Sequence, residues 1–202
     1  MYRKHHTRGI IIGSKIEGDS SRRVNIFTEN FGLVSARVQG SRSNSSKMRG
    51  SSQDFCFGEF SLVHGKGGWR MVSARAHKNF YEMLRSSPAK IKIAGNIFNL
   101  IKKLVSEEAH TPLASTKLSV ESGLFSIVSN FLNFLIKAKE QDITLAECLT
   151  LMRILHSLGY MRHDPELLIP MSSAEIDIKD LEMIAPRRSK MIELINESLK
   201  AT

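Results

Sequence analysis

The sequence predicts an α+β chain: a small closed β-barrel of five short strands over residues 1–78, then an α-helical domain over residues 79–202. Three observations carry this. Apolar residues alternate with a period of two up to about Ala76 and recur at helical spacing beyond it. Turn signals rich in Gly, Ser and Asn separate the alternating stretches. Charge divides along the same line: residues 1–85 hold 15 Lys/Arg against 6 Asp/Glu, while residues 86–202 hold 14 of each, so the whole formal +9 lies in the first half. A basic half beside a neutral half is what a nucleic-acid-binding domain joined to an interaction domain would show.

Residues 8–16 (R-G-I-I-I-G-S-K-I) read as the first strand, followed by turn chemistry at Gly18-Asp19-Ser20-Ser21. Residues 22–29 and 33–39 alternate around Asn30-Phe31-Gly32, a three-residue hairpin loop with glycine placed for the left-handed conformation. Pairing across that loop is expected to set Val24 opposite Val38, Ile26 opposite Ala36 and Thr28 opposite Val34 as barrel interior. The other face then carries Arg23 opposite Gln39, Asn25 opposite Arg37 and Phe27 opposite Ser35, a polar, cationic and aromatic surface. Residues 53–64 form a strand whose apolar parity shifts near Gly58, which points to a bulge or bend at a barrel corner. Cys56 on it is read as a small buried residue. Gly65-Lys66-Gly67-Gly68 is a hairpin turn and not a phosphate-binding P-loop, because no G-x-x-x-x-G-K-[ST] run is present. Residues 69–76 make the fifth strand. Five short strands with one long loop make the oligonucleotide-binding (OB) fold the leading candidate.

The long loop, Val38 to Phe55, carries Arg42, Lys47 and Arg49, glycines at 40 and 50, six serines and no acid before Asp54. Loops of this length are usually functional or disordered, and cations with hydroxyl donors and glycines suit phosphate contact. The expected nucleic-acid contacts are therefore Arg42, Lys47 and Arg49 in the loop with Arg23, Arg37, Lys66, Arg70 and Arg75 on the barrel. Phe31 and Trp69 stand nearest to turns and are the candidates for base stacking.

In the second half, His77 to Leu84 reads as a short helix ended by Ser86-Ser87-Pro88. Residues 89–105, 119–138 and 143–158 carry broad apolar stripes, and Leu158-Gly159-Tyr160 supplies the glycine stop for the third. A last helix follows Pro186, with Met191, Ile192, Leu194, Ile195 and Leu199 expected inside. Arg187-Arg188-Ser189-Lys190 opens it, where the helix dipole disfavours cations. No apolar run approaches the roughly 18 residues that span a bilayer, and the expectation is a soluble, cytoplasmic protein without membrane contact. Two distant cysteines, no C-x-x-C and no H-x-x-x-H leave no metal and no cofactor to expect. With no G-x-S-x-G and no H-E-x-x-H, no catalytic residues are assigned and the chain reads as a non-enzyme.

An ordered set of motifs begins with Thr7-Arg8-Gly9-Ile10 and Glu17-Gly18-Asp19, then runs through Ile26-Phe27-Thr28-Glu29-Asn30-Phe31-Gly32-Leu33. Gly40-Ser41-Arg42, Ser46-Lys47 and Gln53-Asp54-Phe55 follow, and the helical half adds Leu124-Phe125, Leu155 and Leu158-Gly159-Tyr160. In that order and spacing they resemble the RecO family of bacterial DNA-repair mediators. The chain departs from the family where many members place a four-cysteine zinc module: Tyr160 is followed by Met161-Arg162-His163-Asp164-Pro165, with no cysteine. Asp54 stands where the family often has Pro. The resemblance implies an N-terminal OB domain and a C-terminal helical domain. It implies binding of single- and double-stranded DNA and ATP-independent annealing of complementary strands. It also implies work with RecR to load RecA onto DNA coated by single-stranded-DNA-binding protein, whose acidic C-terminal tail the helical domain would contact, in a nucleoid-associated setting. Two other readings share the basic barrel: an RNA-binding OB module, and an adaptor that docks an acidic protein on its basic face.

Overall fold

The computed structural model of the protein describes residues 3–39, 48–105, 115–161, 167 and 173–200, with side chains described from residue 123 onward in the helix that begins at Ser115. The chain divides into two compact units: Met1–Met83 with Ile101–Glu121, and Leu84–Leu100 with Ser122–Thr202.

The first unit contains β1 (Lys4–Glu17), β2 (Ser21–Thr28), β3 (Gly32–Val38), a one-turn helix α1 (Met48–Ser51), β4 (Cys56–Gly65), β5 (Gly68–Asn79) and a short α2 (Phe80–Leu84). The strands close in the order β1-β2-β3-β5-β4, with β4 returning to β1. This is an α+β chain with an amino-terminal five-stranded OB-fold barrel followed by helices. Neighbours are antiparallel except β3 and β5, which run parallel and pair only at Ala36–Trp69 and Arg37–Arg70.

One long strand closes the ring. β1 pairs with β4 through residues 4–10 and with β2 through residues 9–17, so it starts four residues before the predicted strand. The register shifts between Ile11 and Gly13, leaving Ile12 as the extra residue. A bulge bends a strand and raises its twist, which lets one strand serve two edges of a narrow barrel. It also accounts for Ile10, Ile11 and Ile12 all being buried in succession.

The interior follows the predicted parity. Val24, Ile26, Val34, Ala36 and Val38 pack with Ile11, Cys56, Phe60, Leu62, Trp69 and Met71 in one core cluster. The predicted partners, however, are off by two residues. Val24 faces Ala36, Ile26 faces Val34, and Thr28 faces Gly32. The reason lies in Thr28, whose buried Oγ1 donates to the Gly32 carbonyl (2.8 Å) and accepts from the Phe31 N–H (3.0 Å). That threonine closes the hairpin one residue earlier on each strand than the expected loop, and Gly32 (φ 61°) takes the left-handed conformation. A slip of two preserves the faces. Phe27 is a further correction: with its partner Leu33 it is buried, so the outer face is not uniformly polar.

At Gly58 the β4–β5 register shifts as the parity change suggested, but the extra residue is His77 on β5. His77 to Asn79 consequently belong to the strand, and the helix expected from residue 77 starts at Phe80. A Cβ on Gly58 would lie 2.3 Å from the Arg75 carbonyl oxygen. We therefore expect Gly58→Ala to force the strands apart and to lower stability by about 1–3 kcal/mol, read from thermal unfolding; an unchanged midpoint would contradict this close approach.

The loop predicted to lack structure is ordered at its end. Ser52 N–H donates to the Met48 carbonyl (3.0 Å), and Ser51 and Ser52 are buried. Phe55 holds φ 66°, which is unfavourable for a side chain with a Cβ. Its N–H donates to the Ile11 carbonyl (2.8 Å) and its carbonyl accepts from Phe80 (3.1 Å). Those two bonds tie the start of β4 to β1 and to α2.

The second unit is helical: most of α3 (Pro88–Leu104) and of α4 (Ser115–Lys137), with α5 (Ile143–Ser157), α6 (Ile178–Ile184), a 3₁₀ turn (Ala185–Arg187) and α7 (Arg188–Lys200). Ala94, Ile97 and Phe98 of α3, and Leu124, Val128, Phe131, Leu132 and Leu135 of α4, are buried as their spacing predicts. The Lys90 ammonium donates to the Ala138 carbonyl (2.6 Å), and Asn96 donates to Glu147 (2.8 Å). Gly159 (φ 76°) ends α5, with its N–H on the His156 carbonyl. In α7, Met191 and Ile195 are buried, whereas Ile192 is exposed and Leu194 and Leu199 are half-buried, a narrower stripe than expected.

Two features of this unit have no counterpart in the sequence reading. Asp177 caps α6 by accepting from the Ile178 N–H (2.6 Å). Arg153, in the middle of α5, has a side chain with no solvent exposure; it donates to the Glu175 carbonyl (2.8 Å) and lies 3.4 Å from the Asp180 carboxylate. No helix among the described residues is long and apolar enough to cross a membrane.

Candidate nucleic-acid interface

Directly paired residues on neighbouring strands share a face, with strands about 5 Å apart. Following one such line, Lys15 on β1 faces Arg23 on β2, Arg23 faces Arg37 on β3, and Arg37 faces Arg70 on β5. The line continues to Val63 on β4 and returns to β1 at Lys4, eleven residues before its start, as the stagger of a closed barrel requires. Four cations therefore stand side by side across four strands. Like charges directly opposite one another destabilise a sheet, so this row is not a device for stability.

Glu17, two residues beyond Lys15 on β1, relieves part of that repulsion. Its carboxylate accepts from Arg23 Nη2 (2.7 Å) and Nε (3.2 Å) and lies 3.8 Å from Arg37 Nε. The hydrogen bond from Arg23 holds the Glu17 carboxyl below its ordinary range against desolvation, the next-largest effect, and the charges of Arg23, Arg37 and Lys15 add to the lowering. Arg23 is thus half-buried and engaged, whereas Lys15, Arg37 and Arg70 are exposed.

Arg37 and Arg70 lie at the short parallel contact of β3 with β5. A pocket of about 270 Å³ opens there, lined by Arg37, Lys66 and Arg70, by Val63 and Trp69, and by the glycines of the β4–β5 turn. Gly65 pairs with Gly68, which leaves Lys66 and Gly67 as the exposed two-residue turn.

Of the residues chosen from sequence, Arg23, Arg37, Lys66 and Arg70 come together in the row and its pocket. Arg75 is exposed further along β5 opposite Glu59, in a mixed-charge region where Glu59 also meets His77 at 3.3 Å. Arg49 is exposed on α1. Arg42 and Lys47 lie outside the described residues. Trp69 has the inward parity of Ala36, its partner, and is 8% exposed. Its ring meets His64 (5.0 Å), His5 (5.4 Å) and Phe31 (5.9 Å), so it packs at the barrel end. The alternation Trp69-Arg70-Met71 carried that information. Phe31, half-buried in the β2–β3 loop, keeps the more accessible ring. Lys15 and Glu17 were not singled out from sequence, because their place depends on the β1–β2 register.

His5 sits between Phe31 and Trp69, with centroids 5.4 Å from each. Burial there holds its imidazole below the ordinary 6.5, and Arg3 and His6 push it the same way. Folding thus favours the neutral ring. Its contribution to stability is present above pH 6.5 and is lost as pH falls through the lower folded value. The unfolding midpoint should therefore drop between about pH 7.5 and pH 5.5, and His5→Gln should flatten that part of the profile; an equally steep profile in the variant would assign the effect elsewhere. The thiol of Cys56 is pushed up to about 11 by burial and is a packing group. Among the described residues no group of three or more His, Cys, Asp or Glu could hold a metal ion.

Residues 1–80 match the family model described as Recombination protein O N terminal. The chain is 25% identical over 154 residues to the DNA repair protein RecO of Acetivibrio thermocellus, an alignment covering 76% of this chain and 57% of that protein. It is 26% identical over 161 residues to the DNA repair protein RecO of Dehalococcoides mccartyi, covering 80% and 57%. Against the DNA repair protein RecO of a Synechocystis species it is 32% identical over 80 residues, covering 40% and 30%. The chain thus spans little more than half the length of the longest-aligned of these relatives. The barrel that carries the basic row is the segment matched by the family model, so residues 1–80 carry the RecO family's N-terminal domain, and the longer alignments extend into the helices.

Proposed function

We propose that this protein is a non-enzymatic DNA-binding mediator of recombinational repair. The observation that carries the reading is the row Lys15–Arg23–Arg37–Arg70, four cations in cross-strand register on a barrel that carries the RecO family's N-terminal domain. Cations about 5 Å apart across a sheet suit a phosphate backbone and carry no base code, so binding is independent of sequence. Arg49 on α1 and Lys66 in the β4–β5 turn add to this surface, and Arg42 and Lys47, which lie outside the described residues, are proposed as further phosphate contacts on their charge alone. Arg75 is a secondary contact, and Phe31 is the better-placed ring for stacking on a base.

Such a surface takes single and double strands and brings complementary strands together without ATP. In this reading residues 1–78 hold DNA and residues 79–202 hold protein partners. Those are RecR and the acidic tail of single-stranded-DNA-binding protein, through which RecA is loaded. No cofactor takes part.

The deciding experiment is annealing of complementary oligonucleotides, bare and coated with single-stranded-DNA-binding protein. The expected result is ATP-independent annealing of both; absence of binding and annealing in both would refute the reading. A stronger preference for RNA of equal length would favour the RNA module, and binding only to an acidic protein would favour the adaptor.

Glu17 supplies a gain-of-function prediction. Because it occupies Arg23 and shares Arg37, Glu17→Gln should raise affinity for single strands by about 3- to 5-fold and steepen the salt dependence by up to about one contact. Filter binding across a salt series measures both, and reduced affinity would show that Glu17 orders the arginines for binding.

A further inference from the structure

The pocket beside the row has a composition that backbone tracking does not need. Arg37 and Arg70 are the last cations of the row, and Lys66 adds a third from the β4–β5 turn. Among the described residues none that lines it is acidic, and the nearby Glu17 lies 3.8 Å from Arg37 Nε while hydrogen-bonded to Arg23. Its volume, about 270 Å³, is far more than the roughly 30 Å³ of one water and just below the ~300–1,000 Å³ typical of small-molecule sites. That is room for a phosphate with its sugar, not for a run of bases. Buried, apolar Val63 and Trp69 complete its lining.

An internal phosphodiester carries one negative charge, whereas a phosphate monoester carries close to two at neutral pH. Three cations around one pocket match the monoester. We propose that the pocket seats the terminal phosphate of a nucleic-acid strand, so that the barrel distinguishes phosphorylated strand ends from hydroxyl ends. The proposal rests on the nucleic-acid reading of the row: a strand laid along Lys15, Arg23 and Arg37 reaches the pocket at Arg70, and its end turns in under Lys66.

Trp69 is the only tryptophan of the chain, so intrinsic fluorescence reports on the pocket directly. The test titrates the full chain with oligonucleotides of equal length bearing a 5′-phosphate, a 3′-phosphate or hydroxyls at both ends. One phosphorylated form is expected to bind 5- to 10-fold more tightly than the hydroxyl form and to perturb Trp69 more. Lys66→Gln and Arg70→Gln should each bring that ratio close to one. Lys15→Gln, outside the pocket, should weaken all three forms equally and keep the ratio. Equal binding of all three by the unaltered chain would overturn the proposal while leaving the row intact. Free deoxyadenosine monophosphate perturbing Trp69 at the same concentration as the phosphorylated strand would also overturn it, by making the pocket a mononucleotide site. Failure of all three oligonucleotides to bind would instead refute the nucleic-acid reading itself.

Discussion

Replacing Lys15, Arg37 and Arg70 together by glutamine is expected to weaken single-strand binding by about 100-fold at 0.1 M salt and to flatten the slope of log affinity against log salt by about 2. The figures follow from counterion release. Each phosphate contact on a single strand contributes about 0.7 to the slope, or roughly 5-fold in affinity at that salt. The three residues are the exposed members of the row, whereas Arg23 spends its hydrogen bonds on Glu17 and should count for less. The loss should be the same for every sequence tested, since phosphate contacts carry no sequence information. Because all three side chains are exposed and the change removes like-charge repulsion across strands, thermal stability should hold or rise. A triple variant with unaltered affinity and slope would remove the row from the interface. If Arg49 with Arg42 and Lys47 proved dominant instead, the β3–β4 connection rather than the sheet face would be the principal contact.

The second large effect concerns stability. Arg153→Ala should cost the helical unit about 3 kcal/mol, near the lower end of the range for breaking a buried pair. The side chain has no exposure, and its loss leaves both a cavity and the Glu175 carbonyl without this donor. Asp180 is 23% exposed, so water can take up part of its charge, which is why the lower end applies. Desolvation lowers the Arg153 pKa against the raising effect of Asp180, yet no change of protonation near neutral pH is expected of a guanidinium. Arg153→Met, which fills the volume without a charge, should cost less than alanine. Urea denaturation of the three proteins tests the order; equal stability of all three would mean that residues 173–184 dock without this arginine. Nucleic-acid binding by the barrel should change little in either variant.

Much of the fold is legible in the sequence for a simple reason. Period-two alternation is a local property, so the interior assignments of Val24, Ile26, Val34, Ala36 and Val38 hold even though the hairpin register slips by two. The helical stripes of α3, α4 and α5 are local in the same sense. What fails are features fixed by a single non-local or hydroxyl contact: the closing bonds of Thr28, the extra residue His77 that keeps β5 extended to Asn79, and the short helices α1 and α6. Each is too brief to show a period.

The interface divides the same way. Net charge and its confinement to the first 85 residues are properties of composition, and they point to the barrel without any structure. Arg23, Arg37, Lys66 and Arg70 could be named because alternation and turn chemistry place them outward. Their assembly could not. Arg37 meets Arg70 through a parallel contact between strands more than thirty residues apart, and Lys15 joins them only through the β1–β2 register set beyond the Ile12 bulge. The sequence by itself determined which faces are apolar, where the charge lies and which family the motifs resemble. Only the closed barrel decided that four of those cations form a line, that Glu17 occupies one of them, and that a pocket opens where β3 and β5 barely touch. The physical reason is that burial and period are read along the chain, while charge density at a surface is a property of register between strands.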